Sequence, residues 1–167
     1  RPLQRDASLN DPRWPDDERL ELGAWLIIVP MPATSLVLFD IDGTLLSAGR
    51  ASRDALREAF EKTGVLDMTF DGYDFSGKTD PQIVLELLSA RSGAAPGGAS
   101  VSRVIELYLE ALEARIGPDA VVAKRGAADL LETLAARPDA TLALLTGNHE
   151  RGARAKLAPV GFNPYFP

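Results

Sequence analysis

The chain has 167 residues, of which 46% are hydrophobic and 25% charged, with a net charge of −6 and no cysteine. This composition suits one domain, or a core with a small inserted module, and excludes disordered, collagen-like and coiled-coil chains. The acidic balance argues against a general nucleic-acid binder, and the lack of thiols excludes disulfides, thiolate catalysis and cysteine-based zinc sites.

Residues 1–19 are rich in Pro, Asp and Arg and show no periodicity, which reads as loop or disorder. The longest apolar run, Leu22 to Met31, is about half the ~20 residues that cross a bilayer. The acidic Asp16-Asp17-Glu18 before it does not suit a signal peptide. A cytoplasmic protein with no membrane partner is therefore expected. Met31 is read as the biological start, with residues 1–33 an extension outside the domain. The competing reading is an N-terminal arm anchored by Trp25 to Val29.

Leu36 to Phe39 is a continuous apolar run, as in a strand buried on both faces of a parallel sheet. It ends abruptly at Asp40-Ile41-Asp42-Gly43-Thr44. The spacing of Ala55, Leu56, Ala59 and Phe60 predicts a helix over 51–63. Residues 66–76 read as irregular. Asp80 reads as an N-cap with Pro81 at the first helical position, opening a helix whose apolar face carries Ile83, Val84, Leu87 and Leu88. A Ser/Gly-rich loop spans 92–100. Helices are predicted over 102–116, with Ile105, Leu109, Leu112 and Ile116 on one side, and over 126–137, with Leu130, Leu131 and Leu134. Thr141 to Leu145 reads as a second buried strand, ending in Thr146-Gly147-Asn148, and 149–158 as a helix. Two apolar strands that both end in polar turns imply an open parallel α/β sheet, in which ligands bind beyond the carboxyl ends of the strands.

Asp40 and Asp42 alternate at one strand end and so project to the same side. Two such carboxylates repel, and a hard divalent cation such as Mg²⁺ would offset the cost. One of them suits a nucleophile and the other a general acid/base. Gly43 permits the tight turn, and the Thr44 hydroxyl can orient a carboxylate. Thr146, Gly147 and Asn148 offer a hydroxyl, a free backbone and an amide at a helix start, a place to hold phosphate oxygens.

Phe39-Asp40-Ile41-Asp42-Gly43-Thr44-Leu45 resembles the first signature of the haloacid dehalogenase superfamily, and Leu144-Leu145-Thr146-Gly147-Asn148 resembles its second. Ser76-Gly77-Lys78-Thr79-Asp80, with Lys156-Leu157, Gly161-Phe162 and Tyr165-Phe166, resembles phosphoglycolate-phosphatase-like members. The resemblance covers residues 34–167. It implies a partial Rossmann-like parallel core over 34–48 and 118–167, with a helical cap over 49–117. It further implies a Mg²⁺-dependent phosphomonoester hydrolase acting on a small phosphorylated metabolite. Asp40 would become the aspartyl-phosphate, and Asp42 would protonate the leaving alcohol and then activate water. Mg²⁺ would be held by the Asp40 carboxylate and the Asp42 backbone carbonyl, and Thr146 would bind the phosphoryl group. Lys78, in the cap, could reach an anionic substrate. An acid at position 42 favours phosphatase over dehalogenase, because an alkoxide needs a proton and a halide does not.

The family's third signature supplies a Lys or Arg, and its fourth supplies acidic metal ligands in a Gly-Asp-x-x-x-Asp type string. No such string follows Asn148, where Glu150 is the one acid. Lys156 falls too early for the third signature and is assigned to helix packing or the surface. The chain is therefore read as C-terminally truncated, with the Leu36 to Phe39 strand left as a bare edge. The alternative function is an inactive fragment or binding-only module. Gly72 to Thr79 also matches the P-loop pattern G-x-x-x-x-G-K-[ST], but no buried strand precedes it, as that motif requires. His149 reads as a surface residue at a helix start, Tyr108 and Trp25 as packing residues, and Lys124-Arg125 as a solvated pair.

Overall fold

A computed structural model describes residues 27–31 and 34–167. Trp25 and most of the N-terminal extension lie outside the described residues. The elements run β1 (Ile27–Met31), β2 (Thr34–Phe39), β3 (Leu46–Ser47), α1 (Ala51–Lys62), α2 (Asp80–Ser92), α3 (Gly98–Arg115), β4 (Val122–Ala123), α4 (Ala127–Ala135), β5 (Ala140–Leu144) and α5 (Glu150–Leu157). Short 3₁₀ turns at Ala158–Val160 and Asn163–Tyr165 follow.

The sheet order is β1-β2-β5. β2 and β5 are parallel, with Ser35 opposite Ala140 and Phe39 opposite Leu144. Their ladder closes where the Leu145 N–H donates to the Phe39 carbonyl at 2.8 Å. β1 is antiparallel to β2, with Ile27 opposite Leu38 and Met31 opposite Thr34. The edge of β2 is therefore not bare as expected, because backbone groups of a segment read as lying outside the domain pair with it. β3 and β4 form a separate two-residue ladder, too short for a side-chain period to reveal.

Two apolar clusters hold the chain together. One packs Phe39, Ile41, Leu45 and Leu46 against Leu131 of α4, Leu157 of α5, and Phe162 and Phe166. Phe39 meets Phe166 edge to face at 6.0 Å, the geometry the ring quadrupoles favour. The other joins α1, α2 and α3 through Phe60, Val84, Leu109 and Leu112, all at helical spacing on faces turned toward one another.

The cap of α2 sits one residue earlier than expected. Thr79 is the N-cap, its hydroxyl accepting from the Gln82 N–H at 3.3 Å, and Asp80 begins the helix. This frees the Asp80 carboxylate for contacts outside its own helix. α3 starts at Gly98, inside the stretch expected to be a loop. Packing on α1 and α2 offsets the poor helix propensity of that glycine. No helix among the described residues is long and apolar enough to cross a membrane.

Phe60 is fully enclosed. Phe60→Ala should lower unfolding free energy by about 3–5 kcal/mol, read as a reduced denaturation midpoint with an unchanged m-value.

Candidate active site

The turn after β2 sets the two acids. Ile41 is buried completely, and its carbonyl accepts from the N–H groups of Leu45 at 3.0 Å and Leu46 at 3.1 Å. Fixing Ile41 inward leaves its neighbours Asp40 and Asp42 facing outward. The chain reverses at Gly43, whose φ of +87° is costly for a residue with a Cβ. The Gly43 N–H closes the turn on the Leu46 carbonyl at 2.8 Å.

Parallel pairing of β2 and β5 brings Thr146 and Asn148 beside these acids. Asn148 Nδ2 donates to Asp42 Oδ2 at 2.8 Å, across 106 residues of sequence, and to Thr146 Oγ1 at 2.8 Å. The Asn148 N–H also reaches Thr146 Oγ1, at 3.3 Å.

Lys156 completes this network, against the expectation that it serves packing or the surface. It is 3% exposed, and its Nζ donates to Asp42 Oδ2 at 2.7 Å and to Asn148 Oδ1 at 2.6 Å. A carboxylate and an amide oxygen replace water around this buried side chain. The signal that could have found it is positional. Gly152, Ala153, Lys156 and Leu157 form the buried stripe of α5, so the lysine occupies a spacing that belongs to the core.

The helices α1–α3 close the other side of a cavity of ≈ 670 Å³, within the usual range for small-molecule sites. Asp40, Asp42, Gly43, Lys78, Thr146, Gly147 and Asn148 all line it. Thr44 does not; its N–H turns back to the Ile41 carbonyl at 3.3 Å. The lining also includes Ser52, Arg53, Asp80 and Tyr108, which the sequence reading did not assign to the site. Arg53 lies over the Phe75 ring at 5.1 Å and has no carboxylate partner among the described residues.

Lys78 is not a free cation. Its Nζ lies 2.6 Å from Glu86 Oε2 and 4.2 Å from the centre of the Tyr73 ring. The Tyr73 hydroxyl donates to the same Glu86 oxygen at 2.8 Å, and Gln82 donates to the other at 2.8 Å. The bond from Lys78, then those from Gln82 and Tyr73, hold the Glu86 carboxyl down to about 2. Glu86 in turn raises Lys78. Burial raises the carboxyl of Asp80, against the lowering effects of the His149 N–H and Lys156. Burial likewise raises the Tyr108 phenol. The element that leads into the Gly72–Thr79 segment is helix α1, not a strand, so the context a P-loop needs is missing. His149 is exposed and caps α5, its Nδ1 accepting from the Arg151 N–H at 3.3 Å.

Among the described residues, no group of three or more His, Asp or Glu side chains is placed to hold a metal ion. The donors at the strand end still suit Mg²⁺. The exposed Asp40 carboxylate is a hard oxygen ligand, and Mg²⁺ is commonly held by one or two carboxylates with waters and substrate phosphate completing its shell.

The sequence pattern of haloacid dehalogenase-like hydrolases matches residues 34–167. A hydrolase from Pseudomonas syringae aligns with a TM-score of 0.59 and 24% identity over 76% of this chain and 56% of that one. CbbY from Rhodobacter sphaeroides, solved in complex with phosphate, aligns with a TM-score of 0.62 and 22% identity over 78% of this chain and 60% of that one. These likenesses concern the fold, and the chain spans less than two thirds of the length of either structure. No curated protein matches the sequence.

The buried network should respond asymmetrically to mutation. Asp42→Ala strands the Lys156 ammonium in the interior and should cost about 3 kcal/mol. Lys156→Met leaves Asp42, whose side chain is 45% exposed, to rehydrate, and should change stability by about 1 kcal/mol or less. Equilibrium denaturation of the two variants checks this order. Because Glu86 is held below its ordinary 4.5, the stabilisation from its cluster is complete above that value and is lost as pH falls toward 2. A carbon NMR titration of the Glu86 carboxyl should find its midpoint near 2, and Lys78→Met should move that midpoint upward.

Proposed function

The chain belongs to the haloacid dehalogenase-like hydrolases, and from that premise we propose that it is built for the hydrolysis of phosphomonoesters of small metabolites through an aspartyl-phosphate. The observation that carries this reading is the convergence of Asp40, Asp42, Thr146, Asn148 and Lys156 on one end of the cavity.

In the first half-reaction an Asp40 oxygen attacks phosphorus and the ester P–O bond breaks. Asp42 gives its proton to the departing alkoxide, which leaves as an alcohol. In the second half-reaction the Asp42 carboxylate takes a proton from water, and the resulting oxygen displaces Asp40 from phosphorus. Inorganic phosphate forms and Asp40 is regenerated. Asp42 Oδ2 is held by Lys156 and Asn148, so Oδ1 is the oxygen available for these transfers. The Thr146 Oγ1 accepts two bonds from Asn148, which leaves its own proton to donate to a phosphoryl oxygen. Two of the three Lys156 protons are used within the network, and the third suits the same charge. Mg²⁺, held by the Asp40 carboxylate and the Asp42 backbone carbonyl, would neutralise charge on the phosphoryl oxygens.

In this reading α1–α3 act as the cap that excludes bulk water and meets the leaving group. Lys78 is engaged by Glu86, so the cavity-lining cation that α1–α3 can offer the leaving group is Arg53.

With Mg²⁺ and small phosphomonoesters such as phosphoglycolate, phosphate release should depend on both acids. Asp42→Asn should slow turnover about 10²–10⁴-fold, the usual worth of a general acid/base. Asp40→Asn should abolish both turnover and acid-stable incorporation of phosphate into the protein, measured by intact-mass spectrometry. Turnover that survives Asp40→Asn would overturn the covalent route.

A further inference from the structure

Asp80 is the first residue of α2, a helix that resembles no part of the two strand-end signatures. Its backbone and side chain nevertheless both grip the second of them. The Asp80 N–H donates to the Gly147 carbonyl at 2.8 Å, and Asp80 Oδ2 accepts from the His149 N–H at 2.8 Å. Both donors sit at helix starts, where backbone N–H groups have no acceptor inside their own helix. α2 and α5 therefore satisfy each other's ends.

The approach is close enough to dictate sequence. A Cβ on Gly147 would lie 2.2 Å from the Lys78 carbonyl oxygen and 3.1 Å from the Thr79 Cα. These are backbone atoms, so only a glycine lets the segment before α2 rest on the loop. Gly152, one turn into α5, lies under the same carboxylate, its absent Cβ position 4.0 Å from Asp80 Oδ2.

Asp80 thus pins residues 147 and 149. Between them stands Asn148, whose side chain ties Thr146, Asp42 and Lys156 together. We propose that Asp80 is a positioning residue that makes the geometry of the Thr146–Asn148 loop conditional on α2 being docked. The consequence for function rests on the phosphatase reading: the loop acquires its phosphate-binding shape only when the helical side has closed over it. A phosphate ligand that favours the docked arrangement of α2 then favours the binding shape of the loop as well. The sequence signal was present in Thr79-Asp80-Pro81, but with Asp80 taken as the N-cap its carboxylate would be spent on its own helix.

The test is amide hydrogen exchange by NMR on the full chain, followed by titration with inorganic phosphate in the presence of Mg²⁺. Asp80→Ala should speed exchange of the His149 N–H and of the Asn148 side-chain amide at least about tenfold, while the Leu145 N–H in the β2–β5 ladder keeps its wild-type rate. Asp80→Asn retains an oxygen for the His149 N–H and should restore exchange to within about threefold of wild type, a rescue that general destabilisation would not give. Gly147→Ala leaves the carboxylate intact but forces α2 away, and should loosen the Asp80 N–H together with Asn148. An unchanged Asn148 side-chain amide in both Asp80→Ala and Gly147→Ala would overturn the proposal. Phosphate affinity should fall about tenfold in Asp80→Ala. If phosphate fails to bind wild type while the exchange pattern appears, the coupling stands and it is the phosphatase reading that fails.

Discussion

Everything at the site depends on the parallel register between β2 and β5. Placing Phe39 opposite Leu144 makes the two strands end together, so that two polar turns more than a hundred residues apart emerge side by side. A shift of one residue would turn each strand's buried side chains to the opposite face and would separate Asp42 from Asn148. The register is held by the side chains of the first cluster, with Phe39 against Phe166 at one face. The apolar core therefore fixes the polar geometry.

The charge distribution follows from that juxtaposition. Asp42 at the rim is balanced by an ammonium delivered from beneath by α5. An interior lysine is expensive to desolvate, and this one is tolerated because two oxygens meet it at hydrogen-bond distance. The arrangement leaves Asp40 without such a partner among the described residues, exposed toward the cavity. Two aspartates two residues apart thus have different surroundings, as the proposed division into nucleophile and proton carrier requires.

The helical side contributes in a complementary way. Its own charges are largely satisfied locally, with Lys78, Tyr73 and Gln82 gathered on Glu86. What it sends across to the strand ends is backbone and one carboxylate, at Gly147 and His149. A glycine at position 147 thus serves two purposes: it belongs to the turn that follows β5, and it provides the clearance that lets the two layers touch.

Much of this was legible in the sequence. The continuous apolar runs before Asp40 and Thr146 identify buried strands, and the helical spacing of Ala55, Leu56, Ala59 and Phe60 identifies α1, because side-chain periodicity is a local property. The alternation of Asp40 and Asp42 about Ile41 is local too, and so is the chemistry those residues can perform. What local pattern could not supply is the partner of each group. Lys156 stands where α5 is buried, yet whether a buried lysine is a liability or a functional charge depends on what faces it, and Asp42 lies 114 residues away. Lys78 reads as a free cation until Glu86, eight residues later in α2, is found beside it. β1 finds its place through backbone pairing, which carries no side-chain signature. The sequence by itself determined the two apolar strands that run in parallel, the five helices to within a few residues and the pair of acids that ends the first strand. The tertiary structure alone decided which charges meet, because Coulomb and hydrogen-bond energies depend on distances in space that only packing sets.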